Sequence, residues 1–196
     1  GFGKGNPLDQ YQAYGPVLHG LSGAMSLWKH PNDPYPIGSN APIPDHLAAK
    51  QAAFAVITAL DYRRRTGRGQ LISMSQLEVA AALAGESYLE YTINHRVPKA
   101  VGNRHPFAAP HGCYRCRGDD EWCAISVFTE DEWARFRRAL GNPPWTTDAR
   151  FSGVLRRIQN VDELDRLVTE WTAERTPYEV MNTLQAAGVA AGALQR

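Results

Sequence analysis

The sequence is short of several things, and each shortage removes a class of protein. Only three cysteines occur in 196 residues, Cys113, Cys116 and Cys123. An odd number packed so closely is a poor disulfide framework and suits a reducing compartment. No run approaches the roughly 18 consecutive apolar residues that a membrane-spanning helix needs. No basic, apolar and small-residue order opens the chain as a secretion signal would, so a cytoplasmic protein without membrane attachment is expected. A surplus of one charge is also lacking: 21 Lys and Arg stand against 20 Asp and Glu, a formal net charge of +1. No global field therefore draws the chain to nucleic acid, and any anion site must be local. The patterns G-x-S-x-G, Walker A and G-x-G-x-x-G are absent, which leaves those hydrolase, nucleoside triphosphatase and dinucleotide readings without support. Neither an internal repeat nor a low-complexity tract occurs.

What is present reads as a globular protein, 43% hydrophobic and 21% charged, long enough for one large or two small domains. The chain opens with "GFGKGNP" without a methionine and stops at "AAGALQR", which reads as a piece of something larger. A loop at the start gives way to a helix from about Tyr14 to Trp28, and the proline-rich "KHPNDPYPIGSNAPIPD" is an extended loop ending at Asp45. From His46 to about Arg65 apolar residues cover more than one face, which predicts a largely buried helix. Gly67 is placed to end it. "QLISMS" is β-compatible, and Ser75 with Glu78 spells a capping box for a helix through about Tyr91. The expected fold class is α/β: residues 1–94 as the tail of a Rossmann-like large domain, with helices and a strand.

Residues 95–112, rich in Pro, Gly and His without periodicity, are expected to be a linker or active-site loop. Residues 113–196 then read as a small α+β domain. "CYRCRGDDEWCAISVF" alternates around a turn and predicts a β-hairpin. Three helices should follow: Thr129 with Glu132 opens the first, Asn160 the second, and Thr176, Pro177 and Glu179 the third, with Gly141 and Gly188 as stops. Trp122, Trp133, Trp145 and Trp171 are its expected core.

Asp45, just before the long helix, has two readings. Aspartate is among the best N-caps, worth about 1 kcal/mol. The positive helix end also attracts an ionised carboxylate, and a carboxylate can attack an acyl carbon to form a covalent intermediate. Position alone does not separate them. Cys113 and Cys116 have zinc-like spacing, with His105, His111 and Cys123 within reach in sequence. Against zinc, hairpin alternation puts Cys113 and Cys116 on opposite faces and no second ligand pair follows, so no metal is expected. Arg63, Arg64, Arg65 and Arg68 could hold phosphate, yet a helix C-terminus favours such residues anyway. His19, His30 and His46 are scattered, His46 being notable only for its place beside Asp45.

Several stretches, "GFG" at Gly1, "YGPVLHGLSGAMS" at Tyr14, "PDHLAAKQAAFAVITALDYRRRTGRGQLISMSQLE" at Pro44, "GNRHPFAAPHGCYRCRGDDEWCAISV" at Gly102 and "AAGVAAGAL" near the end, resemble in order and spacing the class III coenzyme A transferases. That family includes formyl-CoA and carnitine-CoA transferases and α-methylacyl-CoA racemase. The resemblance covers nearly the whole chain, and the helix followed by R-T-G-R-G-Q is its most specific part. It implies that Asp45 is the nucleophile, passing through a mixed anhydride and an aspartyl-CoA thioester. Backbone N–H groups near His46 and Leu47 would stabilise oxyanions.

The resemblance also places Tyr14 near the thioester, where the racemase branch has a histidine, and so favours transfer over racemisation. His19 stands where many members have glutamine, which suggests a supporting polar role. Asn103, Arg104 and His105 fall in the segment that is a glycine-rich lid in formyl-CoA transferase; here the segment is bulkier. The implied substrates are an acyl-CoA donor and a carboxylate acceptor, with no permanently bound cofactor and an intertwined homodimer. The family's upstream nucleotide-binding half does not precede Gly1, so a fragment is expected. Two alternatives stand beside the transferase: a racemase-like enzyme, and a non-catalytic acyl-CoA-binding or assembly module.

Overall fold

Residues 1–36 and 43–195 are described by the computed structural model, and the chain divides into two units, Gly1–Gly102 and Asn103–Arg196. The first unit is helical: α1 (Gly15–Leu21), α2 (Ala24–Leu27), α3 (Ile43–Thr66), α4 (Gln76–Leu83) and α5 (Gly85–Asn94). The single helix expected over 14–28 is two, because Gly23 takes φ +76° and turns the chain between them. Of the proline-rich loop, residues 37–42 lie outside the described residues.

α3 begins earlier than its apolar pattern suggests. Pro44 sits in the first turn, where its missing N–H leaves no bond unmade. Asp45 is consequently inside the first turn and is not the residue before the helix. Gly67 ends α3 as expected, with φ +71° and its N–H on the Arg63 carbonyl. The expectation of a largely buried helix fails: Pro44 and Ala48 are buried, whereas Phe54 is 68% and Ile57 67% exposed. α3 packs against α1 and α4, and a helix of 24 residues with apolar side chains on several faces needs more neighbours than these two to cover it. "QLISMS" forms no strand; residues 68–75 are irregular and Leu71 is 95% exposed. A strand exists only where another takes up its N–H and C=O groups, and among the described residues none pairs with this one. No helix among the described residues is long and apolar enough to cross a membrane.

The second unit is built on a three-stranded antiparallel sheet, β1 (His111–Arg115), β2 (Trp122–Ser126) and β3 (Ala190–Ala193), in that order. The hairpin register pairs Tyr114 with Cys123, and β3 joins by setting Ile125 opposite Ala191. Around the sheet lie α6 (Glu130–Ala139), α7 (Val154–Gln159), α8 (Val161–Ala173) and α9 (Pro177–Ala186). The capping boxes of Thr129 with Glu132 and of Thr176 with Glu179 are both formed. Asn160 precedes α8, but its amide donates to the Arg150 and Arg156 carbonyls instead of capping. α7 and β3 extend the expected hairpin and three helices. Ile125, Val127, Trp133, Phe136, Phe151, Leu164, Val168 and Leu184 form the core.

One charged side chain is wholly inside that core. The Arg157 guanidinium makes paired bonds of 3.0 Å to both Glu130 oxygens, donates through Nε to the Ala109 carbonyl at 2.8 Å, and lies 4.7 Å from the Trp133 ring centre. Every face of the cation is therefore matched, which is the condition for burying it. Cys116 and Cys123 are buried and Cys113 half-buried, all as free thiols. Burial pushes the Cys116 and Cys123 thiols up to about 11. Among the described residues no three His, Cys, Asp or Glu side chains are placed to hold a metal ion.

Candidate active site

Asp45, the carboxylate singled out in the first unit, is held between two helix starts. Asp45 is half-buried in the first turn of α3. After α3 the chain returns to Ser75, whose hydroxyl accepts the Glu78 N–H at 3.3 Å and so opens α4 with Gln76 as its first residue. From there the Gln76 amide donates to Asp45 Oδ1 at 2.7 Å. A neutral donor on one oxygen orients the carboxylate without neutralising it, as a positioned nucleophile requires. Asp45 belongs to the first turn of α3, whose leading N–H groups have no partner within the helix itself.

The opening "GFG" is locked onto this corner. Leu77 N–H donates to the Gly1 carbonyl at 3.2 Å, and Phe2 is buried. Gly3 has φ +81°, and a Cβ there would stand 3.1 Å from Ser75 Cβ. Only glycine meets both demands without displacing the residue that starts α4. Beside the corner, an open groove of about 550 Å³ runs between α3 and α4, lined by Leu47, Lys50, Gln51, Met74, Ser75 and Glu78 among others.

Of the other residues named from sequence, Tyr14 immediately precedes α1 and is 72% exposed. His19 is buried and packs edge-on against Trp28 at 5.9 Å. α1 packs on α3 and α4, so Tyr14 at its start and His19 within it are carried by an element packed on the two helices that place Asp45. His46 is exposed in the first turn of α3. Arg65 pairs with Asp61 at 2.9 Å, and its neighbours in the arginine cluster are exposed.

Asn103, Arg104 and His105 lie in the second unit. Arg104 bonds Asp162 at 2.5 Å and Asp165 at 3.0 Å, and the Tyr114 hydroxyl donates to the other Asp165 oxygen at 2.8 Å. The guanidinium is thus already matched by two carboxylates of α8, and an anionic ligand would have to displace them. Burial pushes Asp165 up, against the lowering effect of Tyr114 and Arg104. Burial also pushes the Tyr114 phenol well up, helped by the Asp165 charge. His105 meets Phe107, His111 and Phe128 in a cluster of rings, and His111 Nδ1 lies 2.7 Å from the Asn103 carbonyl. Sequence reasoning missed Gln76, whose role depends on a contact 31 residues away, and Phe128, which follows β2.

Comparison with known proteins agrees along the full length. The family described as CoA-transferase family III matches residues 1–196. A probable CoA-transferase of Mycobacterium tuberculosis is 35% identical, over 100% of this chain and 25% of its own length. The succinyl-CoA–D-citramalate CoA-transferase of Chloroflexus aurantiacus is 30% identical over 98% of this chain and 47% of its own. Among solved structures, a CAIB/BAIF family protein from Brucella suis superposes with a TM-score of 0.90 at 26% identity, covering 100% of this chain and 51% of that one. The chain spans a quarter to about half the length of these relatives, and on the match over residues 1–196 it belongs to CoA-transferase family III.

Proposed function

We propose that this chain carries the nucleophile of an acyl-CoA:carboxylate CoA-transferase, and that the nucleophile is Asp45. The observation that carries the reading is the Asp45–Gln76 bond at the start of α3, a carboxylate oriented by a neutral amide in the first turn of a helix. Support for the reaction class comes from relatives named for moving CoA between acids, succinate–glutarate CoA-transferase of Agrobacterium fabrum and acetyl-CoA:oxalate CoA-transferase of Acetobacter aceti among them.

In the proposed cycle an Asp45 oxygen attacks the thioester carbonyl of the donor, the C–S bond breaks, and CoA thiolate leaves an acyl-aspartyl anhydride. Thiolate then attacks the aspartyl carbonyl, releasing the donor acid and forming aspartyl-CoA thioester. The acceptor carboxylate attacks that carbonyl and expels thiolate, which finally takes the acceptor acyl group from the second anhydride and frees Asp45. Each attack builds an oxyanion; because α3 starts at Ile43, the His46 and Leu47 N–H groups belong to the helix's own bonds, and the first-turn N–H groups of Ile43 and Asp45 are the proposed donors. Tyr14 and His19 act through α1 in shaping the corner. No step needs a metal or resident cofactor. CoA phosphate contacts and a homodimer are proposed to involve sequence beyond these residues or a second copy.

The test is intact mass spectrometry after incubation with a panel of acyl-CoAs, with hydroxylamine or borohydride trapping. A CoA or acyl adduct mapping to Asp45 and lost in Asp45→Ala is expected. An adduct that persists in the variant, or none with any donor, overturns the assignment.

A further inference from the structure

The segment that enters the second unit is pinned by one cation and one carbonyl. The boundary between the units falls after Gly102. Two residues on, Arg104 reaches α8: its Nη2 donates to Asp162 at 2.5 Å and to Asp165 at 3.0 Å, and its Nε donates to the same Asp165 oxygen at 3.2 Å. Beside it, His111 Nδ1 donates to the Asn103 carbonyl at 2.7 Å. A carbonyl only accepts, so that nitrogen holds its proton whether the ring is neutral or charged, and the bond persists across pH. It is exposed, and one exposed hydrogen bond does not offset the entropy of fixing two residues. The hold on Asn103 and Arg104 therefore rests on the α8 carboxylates.

The two carboxylates are not equal. The Asp162 side chain is 90% exposed and that of Asp165 25%, so water and salt screen the first pair far more than the second. Asp165 is faced by the Tyr114 hydroxyl of β1, which donates to its other oxygen at 2.8 Å, by Arg104 of the entering segment, and by Asp162 one turn earlier on its own helix. Cys113 stands beside Tyr114. We propose that Arg104 is an acid-released clasp: ionised Asp165 pins Asn103 and Arg104 to α8, and protonated Asp165 frees them while the second unit stays folded. With the proton on, the charged bond becomes a neutral one, and the guanidinium keeps only its solvent-screened partner. Burial, with the Asp162 charge, pushes Asp165 above its ordinary 3.8, against Tyr114 and Arg104. A raised folded value means that the folded unit takes up this proton before the unfolded chain does, so protonation of Asp165 does not itself unfold it. Glu130, Glu132 and Glu179, which hold Arg157 and close the capping boxes of α6 and α9, are kept below their ordinary 4.5 by bonds from Arg157 and from the Thr129 and Thr176 N–H groups. Asp165 thus gives up its charge at a higher pH than an ordinary aspartate, and the carboxylates that hold the fold keep theirs to a lower pH than ordinary glutamates. Both displacements act to separate release from unfolding.

The experiment follows the backbone amides of the 196-residue chain by nitrogen relaxation NMR from about pH 7 to about pH 4. The order parameters of Asn103 and Arg104 should fall from about 0.85, a rigid backbone, to below about 0.6, a mobile one. The step should be centred above 3.8, with Val127 and Trp133 of the core rigid throughout. Asp165→Asn should give the released values already at neutral pH and remove the step. Arg104→Gln, a change at a half-exposed side chain, should do the same and covers the case in which Asp165→Asn fails to fold. Asp162→Asn should keep the step and move it slightly to lower pH, because a like charge is gone. Order parameters that stay high through the titration, or in Arg104→Gln at neutral pH, overturn the clasp. A step that Asp162→Asn abolishes, or loss of order at Val127 and Trp133 at the same pH, overturns it as well.

Discussion

Removing the Glu130 carboxylate tests the energetic account of the second unit. Arg157 is 0% exposed, and Glu130 supplies two of its bonds as well as an acceptor for the first N–H of α7, from Val154 at 2.8 Å. Breaking a buried pair from one side costs roughly 3–5 kcal/mol, because the remaining charge is left unmatched. Glu130 itself is 56% exposed, so water reaches the gap and screening reduces the cost, to about 2 kcal/mol. For a unit of this size that is a fall of about 10 °C in Tm. Four of the five tryptophans, Trp122, Trp133, Trp145 and Trp171, lie in the second unit, so fluorescence-monitored urea unfolding of Glu130→Ala reads it directly. With Arg157→Met as background the same substitution should cost about 1 kcal/mol less, since no buried charge remains to be orphaned. The pH dependence has a definite sign. The hydrogen bond from Arg157 and its charge hold Glu130 below its ordinary value of 4.5, so its contribution is present above that pH and is lost as pH falls through the lower folded value. The gap between wild type and Glu130→Gln should close in the same acid window. A Glu130→Ala cost under about 0.5 kcal/mol, or strict additivity with Arg157→Met, refutes the argument.

Other expectations follow from single contacts. Gln76→Leu should slow adduct formation at Asp45 about tenfold, the worth of one hydrogen bond to a charged group, and Gln76→Glu should slow it further by like-charge repulsion; time-resolved mass spectrometry decides, and a Leu variant as fast as wild type would dismiss the positioning role. Gly3→Ala, with φ +81° and Ser75 Cβ 3.1 Å from the new methyl, should destabilise the first unit by about 1–2 kcal/mol and speed hydrogen exchange at the start of α4. The buried Cys116 and Cys123 thiols, pushed up to about 11, should react with iodoacetamide at pH 8 on the order of 100-fold slower than a free thiol. Quantitative labelling of Cys123 in the folded protein at the free-thiol rate would contradict its burial.

Local signals in the sequence were read correctly where the partner groups lie within a few residues. The boxes at Thr129 and Thr176 close over three residues, the glycines at 67, 141 and 188 take positive φ at their helix ends, and the hairpin around 118–120 joins neighbouring strands. Nothing comparable announced β3. "AAGA" lacks β-branched and aromatic residues, and it is a strand because the edge of β2 accepts it. The converse holds at "QLISMS", whose composition suits a strand but which has no partner among the described residues. Asp45 shows the limit most plainly. Its place near a helix start, and the family resemblance that implies a nucleophile there, were legible in the residues around it. Its place inside the first turn, the amide that orients it and the glycine turn that holds that amide's helix were not. Sequence by itself determines what forms over short separations, because caps, turns and helical periodicity are closed by neighbours along the chain. Tertiary structure alone decided that Gln76 meets Asp45 from 31 residues away and that Glu130 meets Arg157 from 27, because a contact across such loops exists only once the packing of whole elements has offset the entropy of closing them.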